Sequence, residues 1–140
     1  MNILAISTLF PSESMPQHGI FVFNRLNAMA NLDGVNITVL NPRPTSLFHR
    51  MLPKYEAQQR EMKSEIESNF KAILRKDYFS IPGILKSKEH LFLMASVIGD
   101  LEKLHESDPF DHIDVHWSYP DLPLGIELAK RLGISCSVTL

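Results

Sequence analysis

The segment IDVHWSYPDLPLGIELAKRLGISCSVTL, residues 113–140, decides the fold because it contains a complete strand–helix–strand pattern. The apolar stretch HIDVHWS, residues 112–118, indicates the first strand. Asp121 is suited to cap the helix that follows, and Gly133 stands just past its end. ISCSVTL, residues 134–140, indicates the second strand. Strands joined in this way are parallel, with a right-handed crossover.

The same pattern opens the chain. NILAIST, residues 2–8, is a nearly continuous apolar run, which is typical of a strand covered on both faces. IFVFNRLNAMANL, residues 20–32, has apolar side chains three and four positions apart and predicts a helix. VNITVL, residues 35–40, is rich in β-branched residues and predicts a strand, after which NPRP turns the chain away.

The middle of the chain is predicted to be helical. Residues 47–77 have one apolar helical face, formed by Tyr55, Met62, Ile66, Phe70 and Ile73. A second helix is predicted over residues 86–107, with a core face formed by Leu91, Met94, Ile98 and Leu101. The complete order predicts an α/β fold, namely a Rossmann-like doubly wound parallel sheet with helices on both faces.

Composition narrows the class of protein. A chain of 140 residues suits one domain, and 44% hydrophobic residues exclude a disordered chain. Fourteen basic and 16 acidic residues give a net charge of −2, which argues against nucleic acid as a partner. The single cysteine cannot form an internal disulfide. Because we find neither a signal peptide nor a membrane-spanning run, we expect a cytoplasmic protein.

Several common sequence motifs for nucleotide binding, nucleophilic catalysis and zinc binding are not found in this chain. We find no G-x-G-x-x-G dinucleotide fingerprint, no P-loop and no G-x-S-x-G nucleophile elbow. The six histidines lack the spacing of a zinc site. We therefore expect neither a bound metal nor a resident cofactor.

Two loops should form the functional site, because ligands bind at the carboxyl ends of the strands in such sheets. These loops are residues 10–19, after the first strand, and HWSYPD, residues 116–121. We expect them to lie side by side along a cleft. The candidate binding residues are His18, Gly19, His116, Tyr119 and Asp121.

Each candidate also has a structural explanation. Gly19 either lets a helix N-terminus approach a ligand or eases a loop into a helix. His116 either handles a proton or packs beside Trp117. Tyr119 could stack on a sugar or base, or close the end of the core. Asp121 is first of all a predicted helix cap.

The amphipathic, mildly basic segment at residues 50–75 offers another surface. It could touch a membrane or an anionic acceptor, which would make the protein membrane-peripheral. Its interspersed acidic residues favour a solvated helix face instead.

Three stretches resemble the N-terminal domain of family-4-like glycosyltransferases, which have the GT-B fold. NILAISTLFPSESMPQHGIFVFNRLNAMA, residues 2–30, looks like the family's first strand, proline-containing loop, glycine and first helix. VNITVLNPRP, residues 35–44, looks like its second strand. Residues 113–140 look like its later strand–helix–strand unit, which is the most specific of the three matches.

This resemblance implies a function. GT-B enzymes have two facing Rossmann-like domains, of which the N-terminal one mainly binds the acceptor and the C-terminal one the nucleotide-sugar donor. Residues 1–140 would be the acceptor-side domain of an enzyme that transfers a sugar to a glycan or lipid-linked acceptor in polysaccharide biosynthesis. His18 and Gly19 would then face the donor phosphates or the acceptor. The acceptor side would be lined by His116, Tyr119 and Asp121.

The chain also departs from that family. Many members have two adjacent glycines where this chain has His18 and Gly19. The resemblance implies a polar motif after Leu140, so we expect the catalytic residues, which stay unknown, and the donor-binding domain to lie outside these 140 residues. We expect a truncated domain that is inactive alone. The alternatives are a standalone α/β binding or interaction module, a non-functional gene remnant, or another GT-B enzyme such as a sugar-nucleotide epimerase.

Overall fold

Five parallel strands form the central sheet of the computed structural model, which describes residues 1–46, 68–81 and 85–139. Along the chain they are β1 (Asn2–Ile6), β2 (Asn36–Thr45), β3 (Ala72–Phe79), β4 (His112–Val115) and β5 (Ser135–Val138). The helices are α1 (Ile20–Ala30), α2 (Glu89–Ser107), which follows a short 3₁₀ turn, and α3 (Asp121–Leu132). In space the strands follow the order β3-β2-β1-β4-β5.

The helices cover opposite faces of the sheet because successive strand residues point to opposite sides. Val22 and Leu26 of α1 pack with Ile3 and Ala5 of β1. The other face carries α2 and α3, whose buried leucines and valines pack on alternate positions of β1 and β4. The predicted doubly wound α/β sheet is therefore confirmed. The strand order changes direction between β1 and β4, so a crevice is expected at their carboxyl ends.

Strand β2 is longer than predicted, and the expectation that NPRP turns the chain away is wrong. Residues 41–44 continue the strand as far as Thr45. β1 pairs with β2 only as far as Leu40, and beyond that point β2 pairs with β3 alone. Because one side of β2 has no neighbouring strand there, the missing N–H groups of Pro42 and Pro44 cost no ladder hydrogen bond.

The prediction of a helix through Phe70 and Ile73 is also wrong. Residues 72–79 form β3, which pairs in parallel with residues 38–45 of β2. The charged run at residues 75–77 hides the strand pattern, since it interrupts the apolar alternation. These charges are accommodated by pairing, for example between Arg43 and Asp77. Tyr55, Met62 and Ile66, the other members of the predicted face, lie outside the described residues.

Helix α2 begins near the predicted position but is rotated relative to the predicted core face. Its buried residues are Leu93, Val97 and Leu101. Leu91 is 51% exposed, although we predicted it to be buried. Met94 and Ile98 are half-buried at the edge of the core. The face shifts because α2 packs against both β3 and α3.

Gly125 sets how closely α3 approaches β4. A Cβ atom at this position would lie 2.4 Å from Val115 Cγ2. We expect Gly125→Ala to lower the free energy of unfolding by roughly 1–3 kcal/mol, because neither the helix nor the β-branched side chain can move away cheaply. Urea unfolding followed by circular dichroism would measure this change.

Gly99→Ala in α2 is the matched control, because a Cβ atom there would meet nothing within 4 Å. This change should stabilise the protein by about 0.5–1 kcal/mol through helix propensity alone. Equal effects of the two substitutions would contradict the close packing of α3 on β4.

Candidate functional site

A partly buried pair of hydrogen bonds joins the two loops at the carboxyl end of the sheet. The backbone N–H of Thr8, just after β1, donates to Asp121 Oδ2 at 2.7 Å. The Thr8 hydroxyl donates to the same oxygen at 3.2 Å. The loop after β1 and the HWSYPD loop therefore lie side by side, as the topology predicted.

Asp121 does not cap α3 in the predicted way. It is the first residue of the helix rather than the residue before it, and no side-chain cap hydrogen bond is formed at Pro120, the actual N-cap. Its carboxylate is directed to Thr8 instead. A carboxylate in the first turn still interacts favourably with the helix dipole.

The environment of Asp121 perturbs its ionisation. The side chain is completely buried, and burial raises its pKa to about 6, against the opposing effects of the Thr8 hydrogen bonds and of His116. The second oxygen, Oδ1, is buried and has no hydrogen-bond partner within the part of the chain that the structure describes. A buried carboxylate oxygen without a hydrogen bond is unusual in a folded protein, so this atom marks a candidate functional position.

His116 follows β4 directly and is buried together with Asp114. Its Nε2 lies 3.0 Å from Asp114 Oδ2. If Nε2 carries the proton, it donates to the carboxylate and leaves Nδ1 as an acceptor. His116 is therefore satisfied by Asp114 within the fold, and its role as a proton-handling group stays a prediction.

Asp114 is held from two further directions. Ser137 of β5 donates to its Oδ1 at 3.2 Å, and Arg25 of α1 places Nη2 3.6 Å from its Oδ2. Burial works against ionisation, but the hydrogen bond from His116 and the charges of His116 and Arg25 prevail and lower the pKa of Asp114. The carboxylate thus links α1, β4 and β5.

Tyr119 faces the beginning of α2. Its hydroxyl donates to the carbonyl of Lys86 and lies 3.3 Å from Nδ1 of His90. The two rings also meet edge to face, with centroids 5.9 Å apart. Trp117 next to it is 42% exposed, so it does not close the core. An exposed aromatic side chain of this kind can stack on a ligand.

Gly19 has a structural requirement of its own. Its φ is +68°, and a Cβ atom would lie 2.4 Å from both the carbonyl carbon and the oxygen of Leu9. Only glycine allows the first turn of α1 to approach the loop after β1 this closely. The carbonyl of Gly19 also accepts hydrogen bonds from Val22 and Phe23.

His18 lies in a separate part of the cleft, above the carboxyl ends of β1, β2 and β3. It lines a cavity of about 240 Å³ together with Thr8, Asn41, Arg43 and Arg75, among others. Thr8 therefore connects this cavity with Asp121. Of the five predicted candidates, only His18 is among the described lining residues of this cavity, and Asp121 is connected to it through Thr8.

Several residues of the site were missed by the sequence analysis. Asp114 carried a signal, because a charged residue stands inside an otherwise apolar strand. For Asn41 and Arg75 we used no sequence signal, because Asn41 was assigned to a turn and Arg75 to a helix. Within the described residues, no cluster of three or more potential ligands could hold a metal ion. No described helix is long and apolar enough to cross a membrane.

The sequence is similar over its full length to TuaC of Bacillus subtilis (strain 168), a protein assigned as a teichuronic acid biosynthesis glycosyltransferase. The two are 32% identical over 145 residues. The chain spans 36% of the length of TuaC. This similarity supports a glycosyltransferase-like domain. No family model matches the sequence.

Among solved structures, the chain is similar to the C-terminal domain of PF1911 hydrogenase from Pyrococcus furiosus. One structure of that domain superposes with a TM-score of 0.60 at 14% identity, covering 99% of this chain and 90% of the other. A second gives a TM-score of 0.55 at 18% identity with the same coverage. At such low identity the likeness concerns the fold alone, which is α/β in each case.

The raised pKa of Asp121 predicts a pH-dependent stability. The folded state binds the proton more tightly than the unfolded chain, whose aspartate pKa is about 3.9. The free energy of unfolding should therefore fall as the pH rises from about 4 to 6, by about 3 kcal/mol from this group. Asp121→Asn should remove this slope, as measured by urea unfolding at several pH values.

Asp100→Asn is the control, because a hydrogen bond and the charge of Lys76 lower the pKa of this surface carboxyl. Titration of Asp100 changes the free energy of unfolding only below about pH 4. The Asp100→Asn variant should therefore keep the wild-type slope between pH 4 and 6. An unchanged slope in Asp121→Asn would show that burial of Asp121 does not govern this transition.

Replacing Gly19 should be more damaging than replacing Gly34, which has a similar φ of +75° but where an added Cβ atom would meet nothing within 4 Å. Gly34→Ala should cost about 1 kcal/mol from backbone strain. Gly19→Ala should cost at least about 2 kcal/mol more, because its methyl group would collide with backbone atoms of Leu9. Thermal and urea unfolding of both variants would test this difference.

Proposed function

We propose that residues 1–140 form the acceptor-side domain of a family-4-like glycosyltransferase with the GT-B architecture. The complete enzyme would transfer a sugar from a nucleotide-sugar donor to a glycan or lipid-linked acceptor. The observation that carries this proposal is the 32% identity to TuaC, which extends over the whole of this chain. The polar edge around Asp121 and His116 supplies the acceptor-binding groups of the proposal.

An acceptor sugar presents hydroxyl groups along its edge and C–H groups on its faces. A small opening of this edge on binding would let an acceptor hydroxyl donate a hydrogen bond to the buried Oδ1 of Asp121, which otherwise lacks a partner among the described residues. His116, oriented by Asp114, would accept a second hydroxyl or hold a proton close to it. The exposed ring of Trp117 would pack on a sugar face.

The donor side of the reaction is assigned to another part of the enzyme. The chain spans 36% of the length of TuaC, and a second domain would hold the nucleotide-sugar and most groups that stabilise the transition state. The isolated chain should then bind acceptors without transferring sugar. The proposal places the protein in the cytoplasm, at the membrane surface. The presence of a single cysteine is consistent with a reducing compartment.

Acceptor binding by the purified chain tests this function. Titration calorimetry with a panel of bacterial surface oligosaccharides should find a ligand, and adding nucleotide-sugars to the mixture should give no transfer product. His116→Gln and Asp121→Asn should each weaken binding about tenfold or more, since each removes a hydrogen bond to a charged or oriented group. Arg131→Gln, which breaks ion pairs with Glu127 and Glu102 on the outer surface, should leave binding unchanged.

Two results would count against the proposal. Sugar transfer by the 140-residue chain alone would contradict the division of roles between two domains. Absence of binding to every saccharide, with selective binding of a partner polypeptide, would favour the interaction-module alternative.

A further inference from the structure

A second cavity lies above the carboxyl ends of β2 and β3, next to the first turn of α2. It has a volume of about 260 Å³. Five polar or charged side chains are among its described lining: Thr45, Tyr78, Ser80, Lys86 and Glu89. The HWSYPD loop borders it, because the hydroxyl of Tyr119 donates to the carbonyl of Lys86. The cavity therefore adjoins the candidate site described above.

Tyr78 brings an unpaired hydroxyl to this cavity. The residue is only 3% exposed and belongs to the buried core cluster between the sheet and α2. Its hydroxyl forms no hydrogen bond with another residue in the part of the chain that the structure describes. A buried tyrosine hydroxyl usually has a hydrogen-bond partner. This hydroxyl is therefore a donor available to a group inside the cavity.

Two carboxylates act on the Tyr78 hydroxyl. Burial, together with the charges of Glu89 and Asp121, raises the pKa of Tyr78 well above its ordinary value. The phenol therefore keeps its proton at physiological pH and can donate it in a hydrogen bond. The same carboxylates disfavour an anion at this end of the cavity, because repulsion between like charges is stronger where water is excluded.

Glu89 provides an acceptor beside this donor. It is the half-buried first residue of α2, and the Ser80 hydroxyl donates to its Oε1. This contact orients the carboxylate, while Oε2 forms no hydrogen bond with another described residue. Lys86 contributes the opposite charge, so the two charges of the described lining balance. The lining thus presents a donor and an acceptor that are positioned before a ligand binds.

We propose that this cavity binds one uncharged sugar unit of the acceptor, with the Tyr78 hydroxyl donating to it and the Glu89 carboxylate accepting from it. The inference rests on the proposed function and narrows it, because it assigns a neutral unit to the acceptor. Each hydroxyl of a sugar can both donate and accept, which suits this pair of groups. Pockets for drug-sized ligands measure about 300–1,000 Å³, so the smaller cavity fits a single ring.

Protein-detected NMR titration of the purified chain tests the inference at neutral pH. The neutral probes are the methyl glycosides of glucose, galactose and mannose, and the acidic probes are the corresponding methyl uronides. At least one neutral glycoside should shift the amide signals of residues 78–80 and 86–89. Its uronide should bind about tenfold more weakly or less, because the added carboxylate would be repelled by Glu89 and Asp121.

Two variants test the donor and the acceptor separately. Tyr78→Phe should weaken binding of the neutral glycoside about fivefold, and Glu89→Gln about tenfold. Tyr78→Phe should keep the wild-type melting temperature, because its hydroxyl has no partner among the described residues. Weaker binding by this variant would then not be caused by unfolding. Glu106→Gln, on the exposed surface of the same helix, is the matched control and should bind as the wild-type chain does.

The results separate this inference from the proposed function. Unchanged binding in both Tyr78→Phe and Glu89→Gln would overturn the cavity site, whereas weaker binding in His116→Gln would still support acceptor binding. A uronide that binds as tightly as its neutral counterpart would overturn the assignment of an uncharged unit. Binding that is weakened by Tyr78→Phe and Glu89→Gln, but not by His116→Gln, would support the cavity and contradict the proposed role of the edge around Asp121 and His116.

Discussion

The hydrogen bonds between Thr8 and Asp121 are the constraint on which the site depends. They join the loop after β1 to the first turn of α3, across the point where the strand order changes direction. Because the carboxylate is buried, these donors offset part of its desolvation, while burial still leaves its pKa raised. His116 acts electrostatically on Asp121 from the end of β4, and Thr8 also lines the cavity to which Arg43 and Arg75 belong.

The packing of α3 explains how the polar contact between Thr8 and Asp121 is held at the end of an apolar core. Leu124 and Leu128 of α3 anchor the helix on the sheet, and the close approach at Gly125 fixes its distance from β4. The first turn of the helix then has little freedom to move, so Asp121 remains buried beside Thr8. Packing in the core thus determines the geometry of the polar groups, as a preorganised binding site requires.

The strand–helix–strand units at the two ends of the chain could be predicted from the sequence, because each is formed by residues that are close together in the chain. In the structure, the strands and helices of these two units lie near their predicted positions. The rule that ligand-binding loops follow the carboxyl ends of parallel strands also predicted that the loop after β1 lies beside residues 116–121. The contact of Thr8 with Asp121 agrees with that expectation.

The remaining features depend on pairing between distant segments. β3 is a strand because eight of its residues pair with β2, although its charged run weakens the strand pattern. Asn41 and Arg75 meet only through that pairing, at 34 residues' separation. The contact between these two residues therefore had no local signal. The partners of Asp114 likewise come from α1 and β5, which are remote in sequence.

Hydrogen–deuterium exchange with a bound oligosaccharide acceptor is the most direct test that this edge is an acceptor-binding surface. The account predicts slower exchange in residues 7–19 and 116–121, and unchanged exchange on the outer surface of α2. Protection confined to α2 and α3, or to residues far from the carboxyl ends of the strands, would contradict it.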